Sequence, residues 1–260
     1  MQLIDIGANL THPAFHADLP SVLARAREAG VAAMLVTGTS VAESTRALKI
    51  ASEHPDLYAT AGVHPHNARE CDATTIPALR VLAQQLKVVA IGECGLDFNR
   101  NYSPHPDQAK WFAAQVELAC ELGKPLFLHS RDAADAFTQI LRSFKNLPRA
   151  AAHCFTGEQA ELRAYLDLGL YIGITGWICD ERRGRHLLEL VRDIPADRLM
   201  LETDSPYLTP RDLHTQPKAR RNEPAHLPHI LRTVARALGK PPERLAEETT
   251  RNAKAFFGLA

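Results

Sequence analysis

No run of about eighteen uninterrupted apolar residues occurs in the 260-residue chain, which argues against a membrane-spanning helix. The opening Met1-Gln2-Leu3-Ile4-Asp5 also lacks the basic segment, apolar stretch and small-residue cleavage site of a secretory signal. Net charge is missing as well. The 30 Lys and Arg residues balance 30 Asp and Glu, without the positive excess that often marks a protein coating long duplex DNA; a small local basic patch remains compatible with this balance. The five cysteines, Cys71, Cys94, Cys120, Cys154 and Cys179, have neither the close spacing of a thiolate zinc site nor that of a disulfide framework. Reduced thiols in a soluble cytoplasmic protein are expected. No Gly-x-Gly-x-x-Gly follows the first apolar run and no Gly-x-x-x-x-Gly-Lys-Ser/Thr appears, which removes support for dinucleotide and P-loop readings.

Hydrophobic residues make up 45% of the chain and charged residues 23%, a globular balance that allows a sizeable core. Short apolar runs recur, each followed by a stretch with helical periodicity, the rhythm of repeated βα units. Eight runs are candidate strands: Leu3–Ile6, Ala32–Thr37, Leu57–Ala61, Val88–Ile91, Leu126–Leu128, Ala150–Ala152, Leu170–Ile174 and Arg198–Leu201. Expected helices include Ala17–Ala29, Ala42–His54, Gln108–Leu122 and Glu158–Leu168, with Gly30, Gly123 and Gly169 as stop signals. Eight such units predict a closed (β/α)₈ barrel, a TIM barrel, as one domain over residues 1–260, with an open doubly wound sheet as the alternative. After the eighth strand, Thr203–Pro224 reads as a long functional loop, followed by closing helices over Pro224–Leu238 and Pro242–Phe257.

Barrel enzymes carry their reactive groups at the carboxyl ends of the strands, and here those ends are polar. The first strand runs into Gly7-Ala8-Asn9, the third into Gly62-Val63-His64-Pro65-His66, and the fourth into Gly92-Glu93-Cys94-Gly95-Leu96-Asp97. The fifth leads to His129-Ser130-Arg131-Asp132, the sixth to His153-Cys154-Phe155, and the eighth to Glu202-Thr203-Asp204-Ser205-Pro206-Tyr207. Taken singly, each has a structural use: a hydrogen-bonded histidine, a helix cap at Glu93, a turn at Asp204. Convergence on one rim favours a shared metal site, since Glu, His and Asp are ligands of zinc, manganese and, with fewer histidines, magnesium.

The segments Asp5-Ile6-Gly7-Ala8-Asn9-Leu10, Ala61-Gly62-Val63-His64-Pro65-His66, Ile91-Gly92-Glu93-Cys94-Gly95-Leu96-Asp97-Phe98, Leu128-His129-Ser130-Arg131, His153-Cys154-Phe155-Thr156-Gly157, Glu202 to Leu208 and Arg220-Arg221-Asn222-Glu223-Pro224 together resemble the TatD family of metal-dependent deoxyribonucleases over nearly the full length. The resemblance implies a nuclease with Glu93, His129, His153 and Asp204 around one or two divalent ions, Mg²⁺ first, with Mn²⁺ or Zn²⁺ as alternatives. Glu93 would be the shared ligand, and Asp204 would hold the second ion and position, or take a proton from, the attacking water; Glu93 and Asp204 are thus the implied catalytic residues. Many relatives carry His-x-His after the first strand, where this chain has Gly7 and Asn9. Neither replaces an imidazole, so a strong site at Glu93, His129 and His153 and a weaker second ion are expected. The resemblance further implies 3′-to-5′ exonuclease action on single-stranded DNA, with RNA as a further substrate, by a monomer, and a role in DNA repair.

A phosphodiester substrate calls for basic and aromatic groups. His64, His66, Arg131 and Arg221 are the candidate phosphate contacts, with Arg182, Arg183 and Arg220 as weaker ones. Phe98, Phe155, Trp177 and Tyr207 are candidates for base stacking, core packing being the commoner use. Two rival readings remain: a hydrolase of small amides, esters or lactones, and a non-catalytic metal-binding scaffold.

Overall fold

The computed structural model describes residues 1–215 and 220–259, so positions 216–219 of the long segment after the eighth strand lie outside the described residues. The strands are β1 (Leu3–Ala8), β2 (Val31–Val36), β3 (Leu57–Ala61), β4 (Val88–Asp97), β5 (Leu126–Arg131), β6 (Ala150–Ala152), β7 (Tyr171–Ile174) and β8 (Leu199–Leu201). The helices are α1 (Leu19–Glu28), α2 (Val41–Glu53), α3 (Thr75–Ala83), α4 (His105–Leu122), α5 (Ala134–Arg142), α6 (Gln159–Asp167), α7 (Leu187–Leu190), α8 (Leu227–Leu238) and α9 (Pro242–Phe257). One eight-stranded sheet runs in the order β1 to β8, and a parallel bridge joins Ala8 to Ser205 beyond β8. Sequential parallel strands alternating with helices make this the (β/α)₈ barrel that the eight apolar runs predict.

The chain divides into two compact units, residues 1–35, 154–158 and 172–260 forming one, and residues 36–153 with 159–171 the other. In the first unit every residue of β1 is buried, as expected of a parallel strand covered on both faces. Leu245, Ala246, Thr249, Asn252, Ala253 and Phe256 of α9 are buried, a spacing that gives one continuous helix face. On that face Asn252 Nδ2 donates to the carbonyls of Ala196 and Leu199, both at 2.8 Å, and so fixes the start of β8. Burying a side chain such as Ile6 or Phe256, neither with measurable exposure, contributes about 1.5–3 kcal/mol.

The second unit holds β3 to β6, with β3–β4, β4–β5 and β5–β6 paired in parallel. Its strands approach each other closely at their carboxyl ends. A Cβ on Gly62 would lie 2.5 Å from Gly92 Cα, and one on Gly95, whose φ is +144°, would lie 1.9 Å from the His129 carbonyl oxygen; only glycine fits such contacts. On α4, Gln115 accepts from Val63 N–H at 2.7 Å and donates to Val63 C=O at 3.1 Å. Gln108 accepts from Asp97 N–H at 2.8 Å and donates to Asp97 C=O at 3.1 Å. Both amides are buried, and each meets a strand end as a neighbouring strand would.

Candidate metal centre

The register between β4 and β5 slips between Gly92 and Cys94, leaving Glu93 as the extra residue of a bulge, a device that re-aims a side chain beside a functional site. Glu93 Oε1 lies 2.7 Å from His153 Nε2, 3.1 Å from His129 Nδ1 and 3.2 Å from His64 Nε2. One carboxylate oxygen thus sits among three imidazoles brought by the ends of β3, β5 and β6. Burial alone would raise the Glu93 pKa, but electrostatic attraction to His153 and His64 and the hydrogen bonds from His129 and His153 outweigh it and hold the carboxyl well below its ordinary value.

Two residues further along the same strand face, by the two-residue side-chain period, come Gly95 and then Asp97. Asp97 Oδ2 accepts from His66 Nε2 at 2.7 Å and lies 3.5 Å from His129 Nε2. Burial works against its charge, yet His129 and His66 hold the Asp97 pKa far down. His129, between the two carboxylates, has a raised pKa: burial lowers it, and Asp97 and Glu93 more than restore it. Its Nε2 is buried and makes no hydrogen bond among the described residues. A buried nitrogen left unsatisfied beside Asp97 is what a metal ion would complete, and His64, Glu93 and His129 offer donor atoms within 4.8 Å of one another, so these residues fit a divalent cation.

His64 differs. Its Nδ1 accepts from the backbone N–H of His66 at 3.1 Å, which leaves the proton on Nε2, the nitrogen facing Glu93. Burial holds its pKa down at about 4, partly offset by the Glu93 charge, so at neutral pH the ring is an uncharged donor.

In the other unit, Asp204 follows β8 with a φ of +53°. Its backbone N–H donates to Gly7 C=O at 2.8 Å, and Asn9 N–H donates to Ser205 C=O at 2.7 Å. Asn9 Nδ2 donates to Asp204 Oδ1 at 2.9 Å. Beneath this turn the buried Asp5 accepts from Thr203 N–H at 2.9 Å and Thr203 Oγ1 at 2.6 Å; burial pushes its pKa up to about 7 against those hydrogen bonds.

The TatD related DNase family model matches residues 4–258. The chain is 54% identical over 259 residues to the 3′-5′ ssDNA/RNA exonuclease TatD of Pantoea ananatis, covering 99% of this chain and 100% of the relative. The chain belongs to the TatD related DNase family. Among solved structures, a TatD homologue from Escherichia coli superimposes with a TM-score of 0.91 at 27% identity, covering 99% of this chain and 98% of that one. An uncharacterized amidohydrolase from Saccharomyces cerevisiae gives 0.89 at 26% identity, covering 99% and 100%.

Within this TatD-type barrel the structure brings Glu93, His129, His153, His64 and His66 together, and it adds Asp97, which the sequence reading quotes in its motif without assigning a role. Its signal was available: Asp97 shares the parity of Glu93 along the strand. Asp204 lies in the first unit with Asn9, whose amide acts there as a donor to the carboxylate. Arg131 ends β5 and is partly exposed. Arg221 is committed within its unit: it donates to both Asp18 oxygens at 2.8 Å, to Glu223 at 2.6 Å and to Ala14 C=O at 2.6 Å. Arg182 and Arg183 pair with Asp180, Arg183 also lying 4.1 Å over the Trp177 ring. Arg220 is exposed, and its C=O accepts from Thr209 Oγ1. Phe155 is 4% exposed and belongs to the core, whereas Tyr207 is 51% exposed. Phe98 stacks on His105 with ring centroids 3.7 Å apart. No helix among the described residues is long and apolar enough to cross a membrane.

Proposed function

We propose that this TatD-family nuclease is a 3′-to-5′ exonuclease acting on single-stranded DNA and RNA, as the name of its Pantoea relative says of that protein. The observation that carries the metal-dependent part is Glu93 Oε1 held among His153, His129 and His64 at 2.7, 3.1 and 3.2 Å. Glu93, His129 and His153 are the proposed ligands of the principal ion. Two imidazoles and a carboxylate suit Zn²⁺ or Mn²⁺ there, and a second, carboxylate- and water-held position suits Mg²⁺. When bound, such ions lower the pKa of a water molecule and stabilise phosphate oxygens.

The chain's own groups supply the rest. Asp204, oriented by Asn9, is the proposed proton acceptor for the attacking water. His64 is a proposed neighbour of the scissile phosphate, its Nε2 facing Glu93. His66 and Arg131 add contacts to the backbone phosphates, and Asp97 orients His66 and His129. For Arg221 we propose a tethering role, holding the segment after β8 through Asp18 and Glu223. We further read residues 1–260 as one domain, since the family match runs through both compact units. A monomer is the proposed assembly, and a cytoplasmic location is in keeping with five scattered cysteines without a disulfide.

The test is metal-stripped protein incubated with end-labelled single-stranded DNA, Mg²⁺, Mn²⁺ or Zn²⁺ being restored separately, with His129→Ala alongside. Stepwise shortening from the 3′ end that needs an added ion and is lost in the variant is expected. Shortening by the variant at the wild-type rate, or none with any ion, would overturn the reading.

A further inference from the structure

We propose that Cys179, Asp212 and His229 form an additional metal site, selective for Zn²⁺ and structural in role. One donor atom from each residue, Sγ, a carboxylate oxygen and an imidazole nitrogen, lies within 4.8 Å of the other two. The three come from separate parts of the first unit. Cys179 ends the short 3₁₀ turn Gly176–Cys179 after β7, Asp212 lies in the segment after β8, and His229 is in the first turn of α8.

The thiol has no other evident task. Cys179 is 5% exposed and free of any disulfide. Its Sγ lies 3.6 Å from the Thr233 hydroxyl, one helical turn beyond His229. Burial pushes its pKa up to about 12, so without an ion it is a protonated and inert thiol. A cavity of about 390 Å³ opens beside it, lined by Cys179, Asp212 and Thr233 together with Arg185, Arg192 and Arg236. Space for a water on the open side of the site is therefore present.

Donor chemistry selects the ion. Thiolate, imidazole and carboxylate together are a zinc set, with ligand bonds of about 2.0–2.3 Å in a tetrahedron. That geometry places neighbouring donors roughly 3.4–3.6 Å apart, so His229 Nε2 and Asp212 Oδ1, 2.6 Å apart, must separate to admit the ion. Asp212 is exposed and outside any helix or strand, which lets it move. His229 Nε2 and Asp212 Oδ1 already meet at 2.6 Å; as they part, the imidazole proton moves from Nε2 to Nδ1, which leaves Nε2 free to take the ion. On binding, the Cys179 proton is released to solvent. One thiolate and one carboxylate then neutralise Zn²⁺, so the arginines of the cavity face an uncharged complex, and Arg236 favours the thiolate. The ion would fasten the segment after β8 to α8 and to the turn after β7.

The experiment uses the full-length metal-free chain titrated with Co²⁺ as a spectroscopic substitute, reading thiolate-to-cobalt charge-transfer absorption, with Zn²⁺ added to displace it. At saturating Co²⁺ the wild type and Glu93→Ala should both develop the band at the intensity of one thiolate site, and Zn²⁺ should abolish it. Cys179→Ser should lose the band, and His229→Ala and Asp212→Asn should each weaken binding by at least about tenfold. Since all three variants could disturb folding, each is compared by circular dichroism; any one that folds decides the matter. Absence of the band in the wild type, its survival in Cys179→Ser, or its loss in Glu93→Ala would overturn the proposal.

Discussion

Asn9 Nδ2 donates to Asp204 Oδ1 across 2.9 Å, so the amide that stands in the expected His-x-His position is an orienting group for a carboxylate. Neighbouring backbone bonds from Asp204 to Gly7 and from Asn9 to Ser205 hold both residues at fixed height. Removing the donor takes that orienting bond away from the carboxylate. Asn9→Ala should therefore lower kcat on single-stranded DNA by about 10–100-fold, the usual effect of losing an orienting partner, with little change in KM. Unchanged kcat would mean that Asp204 needs no such orientation.

Asp97 should matter through the histidines it faces. Asp97→Asn keeps the shape of the side chain and removes the charge beside His66 and His129. Affinity for the principal ion should fall by about 10–100-fold, measured by calorimetric titration of metal-free protein with Mn²⁺. Wild-type affinity in the variant would leave Asp97 as a strand-end residue only.

The response of metal-free protein to pH follows from His129. Its pKa is raised in the folded state, so the stability it contributes is fully present below the unfolded value of about 6.5 and is lost as pH climbs through the folded value. His64, held at about 4, is already neutral in that range and does not offset the loss. A bound ion replaces the proton on His129, so the gain in Tm on adding Mn²⁺ should grow as pH rises above about 6.5. Differential scanning calorimetry with and without the ion checks this, and a gain that shrinks with pH would contradict it.

Asp5 should give a slope of the same sign lower on the scale. Its pKa rises from 3.8 to about 7 on folding, so the native state binds the extra proton and stability falls as pH rises between those values. Asp5→Asn cannot ionise. Its unfolding free energy should be flatter across that interval than that of the wild type, by up to about 1.4 kcal/mol per pH unit. Parallel urea-denaturation curves for the two proteins across the interval would refute the assignment.

The strands were legible because their apolar runs are short, buried and regularly spaced. Legibility ended where the chemistry begins: β4 continues from the expected Ile91 to Asp97, and β5 from Leu128 to Arg131, since polar residues end an apolar run without ending a strand. The start of α1 moved from the expected Ala17 to Leu19, where Pro20 marks a first helical turn. Glu93, His129 and His153 could be found by position alone, each following a strand core. Asn9 could not be assigned as a donor, because its partner lies 195 residues away. Gln108 and Gln115 gave no signal either, since glutamine in a helix reads as a surface residue until a strand end is seen to occupy it.

Those two glutamines turn α4 into a gauge block. They stand seven residues apart, so the helix spaces them by about 10 Å and returns them to nearly the same azimuth. One grips Val63, next to His64, and the other grips Asp97 itself. The relative height of those two strand ends is thereby dictated by the pitch of a helix outside the sheet. A single residue inserted between Gln108 and Gln115 would swing one amide by about 100°, so length in this stretch of α4 is as constrained as the identity of the histidines themselves.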